Sequence, residues 1–174
     1  MLKFKTIELK DKDLIESHFK KENHFLCEYS FTDLFIWAKH YNTLFAEEDG
    51  FLYIKSDGDE NTDYYMVPDG EGDFEKAMDR LFEYIEERGR KWIFGSIYPE
   101  QKEKLEKYYP GKYEFEENRD NADYVYLAEK LANLSGKKLH KKKNHVNRFM
   151  KEYDGRWSYE ELNDDNVREF FNYQ

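Results

Sequence analysis

The stretch NTLFAEEDGFLYIKS, residues 42–56, decides how this chain folds. Two apolar runs flank Asp49-Gly50, and an Asp-Gly pair between such runs is a strong signal for a tight β-hairpin. A third run, DYYMVP at 63–68, follows a polar turn and ends at Pro68. We therefore predict three consecutive strands that pair as an antiparallel meander.

Helical patterns lie on both sides of this meander. Ser30 is the predicted N-cap of a helix with an aromatic face, and Asp33 stands three residues later. The segment 73–89 has an apolar stripe at helical spacing and stops at Gly89. The stripe consists of Phe74, Ala77, Met78, Leu81 and Ile85.

The remaining segments complete an α+β pattern of a mostly antiparallel sheet flanked by helices. Strands are predicted at 5–11, KWIFGSIY (91–98), YEFEEN (113–118), ADYVYLA (122–128) and WSYEEL (157–162). Helices are predicted at 11–21, 99–109 and 129–134, and another begins after a cap at Asp164 or Asp165.

The composition indicates a globular protein of a reducing compartment. The 174 residues include 14 Phe, 15 Tyr and 3 Trp, which can form a substantial core. The one cysteine excludes an intrachain disulfide, and neither a signal peptide nor a membrane-length apolar run is present. We therefore expect a cytoplasmic location.

Cys27 and the histidines offer little metal chemistry. Cys27 lies in the aromatic run HFLCEYSF, where a small buried hydrophobe is the ordinary interpretation and a catalytic thiol the alternative. The Cys/His spacing of a zinc site is missing, so no metal site is predicted.

The segment Leu134–Lys151 is an island of positive charge. It contains seven Lys and Arg and no acid, whereas the whole chain has 28 basic and 38 acidic residues. We predict a helix from Gly136 to Tyr153 with Ser135 as its cap. One side would be apolar, with Leu139, Val146, Phe149, Met150 and Tyr153. The other would carry the set we call the basic ridge: Lys137, Lys138, Lys141, Lys142, Lys143, Asn144 and Arg148.

The ridge has two interpretations. Lysines in the first turn lie at the positive end of the helix dipole, and this placement is unfavourable. A bound phosphate or carboxylate would make it favourable, because the lysines and the backbone N–H groups would then both face an anion. Alternatively, the ridge pairs with the protein's own acids, such as Glu114, Glu116, Glu117 and Asp120. Candidate catalytic residues beside the ridge are Tyr124, His140 and His145, although a buried core position is the favoured interpretation for Tyr124 and Tyr126.

Three stretches resemble a known family. They are EYSFTDLFIWAKHYN, YYMVPDG and ADYVYLAEKLANLSGKKLHKKKNHVNRF, and the last is the most specific. They are similar to bacterial proteins related to the C-terminal domain of phosphatidylglycerol lysyltransferase.

The resemblance implies two tandem acetyltransferase-like (GNAT-like) halves. Residues 1–133 would be the first half, and residues 134–174 the connecting basic helix with the start of the second, so we expect the chain to be truncated. It also implies transfer of an aminoacyl or acyl group from a phosphate-rich donor, aminoacyl-tRNA or acyl-CoA, to an amine or hydroxyl. The ridge residues, with His140 and His145, match the family's K-L-H-K-K-N-H-type motif.

Three functions therefore stay open. The chain belongs to a transferase, or it is a non-catalytic module that binds a phosphate-bearing partner such as tRNA, CoA or a lipid head group, or its ridge only joins two half-domains. Duplex DNA is not an expected partner, because no DNA-reading element accompanies the charge.

Overall fold

The chain divides into two compact units. The structure, a computed structural model, describes residues 1–20, 26–58 and 61–172. The first unit is Met1–Tyr124 and the second is Val125–Gln174.

Six strands of the first unit form one mixed sheet: β1 (Lys5–Thr6), β2 (Leu44–Glu48), β3 (Phe51–Asp57), β4 (Thr62–Tyr65), β5 (Asp69–Gly70) and β6 (Lys91–Phe94). The order is β1-β2-β3-β4-β6, and β5 pairs with β3 beside β4. The β4–β6 pairing is parallel and the others are antiparallel. The predicted meander and the α+β class are both confirmed.

The hairpin turn forms for the predicted reason. Phe45 pairs with Ile54, and Glu48 pairs with Phe51 across the turn. Asp49 and Gly50 have φ angles of 52° and 81°, the left-handed values that a two-residue hairpin turn requires.

Helices cover both faces of the sheet in the first unit. These helices are α1 (Lys12–Phe19), α2 (Phe31–Tyr41), α3 (Phe74–Arg88) and α4 (Pro99–Tyr108). Residues of α1 and α2 pack with Leu52 and Ile54 of β3, whereas α3 and Leu105 of α4 pack with Phe51 and Tyr53. The period of two along β3 therefore sends alternate side chains into two cores.

The predicted start of α2 and the predicted end of α3 are also correct. Ser30 Oγ accepts a hydrogen bond from the Asp33 N–H at 3.2 Å. All five residues of the α3 stripe are buried, and Gly89 ends α3 with a φ of 60°. The predicted helix at 11–21 is observed as α1; Lys21 lies outside the described residues.

A buried carboxylate joins α3 to the sheet. Asp63 of β4 is 1% exposed, and its Oδ2 accepts from Arg88 Nε at 2.7 Å and from Tyr65 Oη at 3.2 Å. Arg90 Nε lies 2.9 Å from Oδ1 as an ion pair, although its N–H is not aligned for a hydrogen bond. The carboxylate thus holds the end of α3 and the start of β6 together.

Several predicted strands are wrong or shorter than expected. The strand at 5–11 is limited to Lys5–Thr6, and the one at 91–98 to Lys91–Phe94. No strand forms at 113–118, 122–128 or 157–162 within the described chain. Alternating apolar residues need a backbone partner to become a strand, and here Tyr113 and Phe115 pack against the core from an irregular segment instead.

The second unit is helical in its described part. It contains α5 (Ala128–Asn133), α6 (His140–Glu152) and α7 (Val167–Asn172). Helix α7 begins at Val167, later than a cap at Asp164 or Asp165 predicts. In the turn before it, Asn163 Oδ1 accepts the N–H groups of Asp165 and Asn166, at 2.9 and 3.2 Å.

Candidate anion-binding site

The basic ridge lies on α6 and on the turn before it. Lys137 and Lys138 belong to a 3-10 turn, Lys137–Leu139, and α6 begins only at His140. The predicted cap at Ser135 is wrong, because Gly136, with a φ of 92°, holds the cap position of the 3-10 turn and separates Ser135 from the helix. Every side chain of the ridge is exposed to solvent.

The N-terminal turn of α6 is more positive than the sequence analysis predicted. Lys141, Lys142 and Lys143 occupy it, and no acid lies there. Leu139 stands at the cap position and offers no side-chain acceptor for the N–H groups of this turn, of which the His140 N–H donates to the Lys137 carbonyl. Because helix N-termini already attract anions, these lysines add charge of the same sign to an uncapped end.

The acids of the second unit leave the ridge lysines without ion pairs. Among the described residues of that unit, no carboxylate oxygen lies within 4.0 Å of a ridge lysine; Arg148 pairs with Glu152 at 3.5 Å. Both members of that pair are largely exposed, so it contributes little. The interpretation in which the ridge pairs with Glu114, Glu116, Glu117 or Asp120 of the first unit stays a prediction.

The opposite side of α6 carries a small aromatic cluster. Phe149 stacks on Tyr153 with ring centroids 5.0 Å apart, and Trp157 packs on Phe149 at 5.6 Å. Leu139 is buried, whereas Val146 and Met150 are half-exposed. The predicted division of this segment into an apolar side and a charged side is thus observed.

The candidate catalytic residues are placed in solvent. Tyr124 is 88% exposed and Tyr126 about half-exposed, so a core position is wrong for both. His140 and His145 are exposed on α6, about 140° apart around the helix axis. Neither imidazole ring has a hydrogen bond to any described residue. A catalytic role for Tyr124, His140 or His145 stays a prediction.

Cys27 is exposed, which corrects the prediction of a buried hydrophobe. Partial burial of the sulfur and the nearby carboxylates of Glu28, Asp123 and Asp33 raise the thiol pKa to about 11. An activated nucleophile needs the opposite shift. The thiol and the carboxylates of Glu28 and Asp123 lie within 4.8 Å of one another and could hold a cation, but Asp123 already accepts the Cys27 N–H at 3.0 Å.

Comparison with known proteins identifies the family. The model of the phosphatidylglycerol lysyltransferase C-terminal family matches residues 19–172. The chain belongs to this family. The family match covers both the hairpin of the first unit and the whole basic ridge.

A solved structure of unknown function shares this lysyltransferase-like fold. It is a conserved protein from Bacteroides thetaiotaomicron VPI-5482, 34% identical to this chain with a TM-score of 0.87. The match covers 99% of this chain and 58% of that one, so the chain spans little more than half of its relative. No curated protein matches significantly. Among the described helices, none has the length and apolar character needed to cross a bilayer.

Sequence reasoning located the ridge but missed features that depend on tertiary contacts. The available sequence signal for a later helix start was Gly136 itself, because glycine adopts a positive φ, here 92°, more readily than other residues. Tyr53 and Arg80 line one cavity of the first unit, and no local sequence pattern predicts that they lie together.

Proposed function

We propose that this chain is part of an aminoacyl- or acyl-transferase of the phosphatidylglycerol lysyltransferase-like family, in which the basic ridge holds the phosphates of the donor substrate. The donor would be aminoacyl-tRNA or acyl-CoA, and the acceptor an amine or hydroxyl. Family membership supports the reaction class. The observation that carries the binding role is the uncapped turn of Lys141, Lys142 and Lys143, whose lysines form no ion pair with the described acids of the second unit.

The ridge suits phosphates better than a single carboxylate. Six cations are spread from Lys137 to Arg148, so the charge follows a line rather than a point. A phosphate chain presents negative groups along such a line, and each contact releases condensed counterions. The free N–H groups of α6 add donors at one end of that line.

The proposed reaction needs positioning more than reactive side chains. The acceptor nitrogen or oxygen bonds to the acyl carbon, the bond to the donor oxygen or sulfur breaks, and the acceptor's proton leaves with a base or with the departing group. Holding both substrates and stabilising the developing oxyanion supplies most of the rate in such transfers. Tyr124, His140 and His145 are the proton-transfer candidates near the ridge in sequence.

The proposal also includes the organisation of the parent protein. Residues 1–133 form the first GNAT-like half, and residues 134–174 connect it to a second half. A lipid head group is an acceptable anionic partner in this arrangement, since juxtaposed lysines favour anionic lipid surfaces.

A second candidate is a binding module without catalysis. It is favoured by the solvent-exposed, unsupported positions of Tyr124, His140 and His145, because catalytic side chains are ordinarily held by a supporting shell. The ridge binds phosphates identically in both cases.

Charge reversal of the ridge tests the proposal. The variant Lys141→Glu/Lys142→Glu/Lys143→Glu is compared with a control that changes the formal charge equally, Lys3→Glu/Lys39→Glu/Lys91→Glu. The control lysines are exposed and lie in the first unit without an ion pair to any described carboxylate. Binding of labelled transfer RNA and of CoA is measured by fluorescence anisotropy and calorimetry, and folding by urea unfolding.

The ridge variant should lose at least tenfold in affinity for one of these ligands while keeping its stability, and the control should lose less than threefold. Equal losses in both variants would mean that only net charge matters, which contradicts a ridge site. A large loss of stability in the ridge variant alone would instead show a structural joint. Turnover with charged transfer RNA or acyl-CoA then separates the transferase from the binding module.

A further inference from the structure

A small cavity lies between the end of the β2–β3 hairpin and the first turns of α3. It has a volume of about 180 Å³ and lies entirely within the first unit, so it is independent of the basic ridge. Its lining residues are Asp49, Phe51, Tyr53, Asp73, Lys76, Ala77 and Arg80.

Two buried donors at this cavity lack acceptors. Tyr53 is 1% exposed, and its hydroxyl has no hydrogen-bond partner among the described residues. Arg80 Nε is likewise buried and unpartnered there, although the two other guanidinium nitrogens pair with Glu48 and Asp49. Burial raises the pKa of Tyr53 to about 12, so the hydroxyl keeps its proton at neutral pH. Both groups therefore offer a hydrogen to an acceptor.

The charges that line the cavity balance. Two carboxylates, Asp49 and Asp73, accompany two cations, Lys76 and Arg80, and Arg80 also pairs with Glu48, which is not a lining residue. Asp49 is shared by Lys76 at 3.3 Å and Arg80 at 3.1 Å. Asp73 uses Oδ1 to cap α3 through the Lys76 N–H, so its second oxygen is the acceptor left for a ligand.

We propose that this cavity binds a small primary ammonium compound that carries an uncharged oxygen acceptor close to its nitrogen. The oxygen accepts from Tyr53 Oη and Arg80 Nε, and the ammonium group donates to the second carboxylate oxygen of Asp73. A simple anion is disfavoured because Arg80 already pairs with two carboxylates. A purely apolar ligand would leave both donors buried without partners.

The size of the cavity limits the ligand. An engineered apolar cavity of about 150 Å³ takes a benzene molecule, so this one accommodates a ligand of about six to eight non-hydrogen atoms. Amides of small amino acids, amino alcohols and the first residue of a peptide have this size and this pair of groups. A ligand so small binds weakly, and millimolar affinity is expected.

A matched set of four probes isolates the two recognition elements. Alaninamide carries both the ammonium and the neutral oxygen. Propionamide lacks the ammonium, propylamine lacks the oxygen, and alanine adds a carboxylate. Each is titrated into the ¹⁵N-labelled chain, and chemical-shift changes are followed at the backbone amides of Tyr53, Asp73 and Ala77.

Alaninamide should give saturable shifts at these amides, and the other three probes should bind at least fivefold more weakly. Tyr53→Phe should weaken alaninamide at least fivefold, because it removes one donor and keeps the ring. Tyr113→Phe is the control, since Tyr113 also has a buried hydroxyl without a described partner but lies outside the cavity.

A second variant keeps the test decisive if the phenol also matters for folding. Ala77→Leu places its added atoms toward the cavity, and it should abolish the alaninamide shifts in a chain that still unfolds cooperatively. Three results would overturn the proposal. The first is the absence of any saturable shift, which would mean that the cavity takes solvent only. The others are equal binding of all four probes and equal binding of alaninamide by wild type and Tyr53→Phe. None of these outcomes bears on transfer-RNA or CoA binding, so this inference and the proposed function fail separately.

Discussion

Replacing Asp63 by alanine removes the carboxylate that fastens the end of α3 to strands β4 and β6. The carboxylate is almost completely buried, and it accepts from Arg88 and Tyr65 and pairs with Arg90. Alanine would leave two guanidinium groups facing each other and a buried tyrosine hydroxyl without its acceptor. We therefore expect this single substitution of a buried residue to cause a large loss of stability.

The magnitude follows from the exposure of the partners. Removing one member of a buried charge pair commonly costs about 3–5 kcal/mol. Arg88 and Arg90 are each about one-third exposed, so water can solvate them after the change. Tyr65 is buried and its hydroxyl loses its acceptor, which lowers the free energy of unfolding by a further, smaller amount. We expect a loss near the low end of the range, about 3 kcal/mol, for Asp63→Ala, and about 2 kcal/mol for Asp63→Asn.

The pH dependence of this loss has a defined sign. Burial raises the Asp63 pKa, but the hydrogen bond and charge of Arg88 and the charges of Arg90 and Lys55 outweigh it and lower the pKa overall. A carboxyl with a lowered pKa in the folded state contributes stability above the unfolded value, about 3.9, and loses it as pH falls through the folded value. The stability gap between wild type and Asp63→Asn should therefore be constant from pH 7 to about pH 4.5 and narrow below it.

Urea unfolding followed by tryptophan fluorescence measures both effects. Asp79→Ala, an exposed Asp of α3 without an ion pair in the described chain, is the control and should stay within about 0.5 kcal/mol of wild type. A loss below about 1 kcal/mol for Asp63→Ala would refute the reasoning. So would a gap to Asp63→Asn that stays constant down to pH 3.

Three further results are expected. Ser30→Ala should cost about 1 kcal/mol in urea unfolding because it removes the N-cap acceptor of α2, whereas Ser135→Ala, which caps no helix, should cost almost nothing; equal costs would contradict the assigned caps. Gly89→Ala should cost about 1 kcal/mol in the same assay from backbone strain alone, since its φ is 60° and no atom lies within 4 Å of an added Cβ, and a neutral result would contradict that conformation. Alkylation of Cys27 by iodoacetamide should speed up about tenfold per pH unit up to pH 10, because its thiol pKa is raised to about 11; a plateau near pH 9 would indicate an ordinary thiol.

Short-range sequence patterns predicted most of the elements of the fold. Asp49-Gly50 specified its hairpin because two left-handed residues are a local requirement. The α3 stripe and the Ser30 cap were equally local, depending on spacings of three and four residues.

Long-range pairing is where the sequence misled. The alternating segments at 113–118 and 157–162 have the composition of strands, but a strand exists only if another backbone edge is available to it. In the described chain these segments remain irregular. Local sequence patterns predict which face of a strand a side chain would occupy, but they do not predict which other strand is available for pairing.

The candidate site was predictable in its charge and not in its geometry. The count of seven basic residues without an acid located the ridge. The start of α6 was misplaced because Gly136 adopts a φ of 92° and a 3-10 turn, Lys137–Leu139, precedes the α-helix. The correction moves the N-terminal turn onto Lys141, Lys142 and Lys143 and strengthens the electrostatic argument.

The salt dependence of transfer-RNA binding tests the ridge most directly. The slope of log Kd against log salt concentration reports the number of phosphates contacted, at about one per lysine. Lys141→Ala/Lys142→Ala/Lys143→Ala should reduce this slope by about two to three relative to wild type, while alanine at Lys3, Lys39 and Lys91 should leave it unchanged. An identical slope for wild type and the ridge variant would show that the lysines of α6 do not touch the nucleic acid.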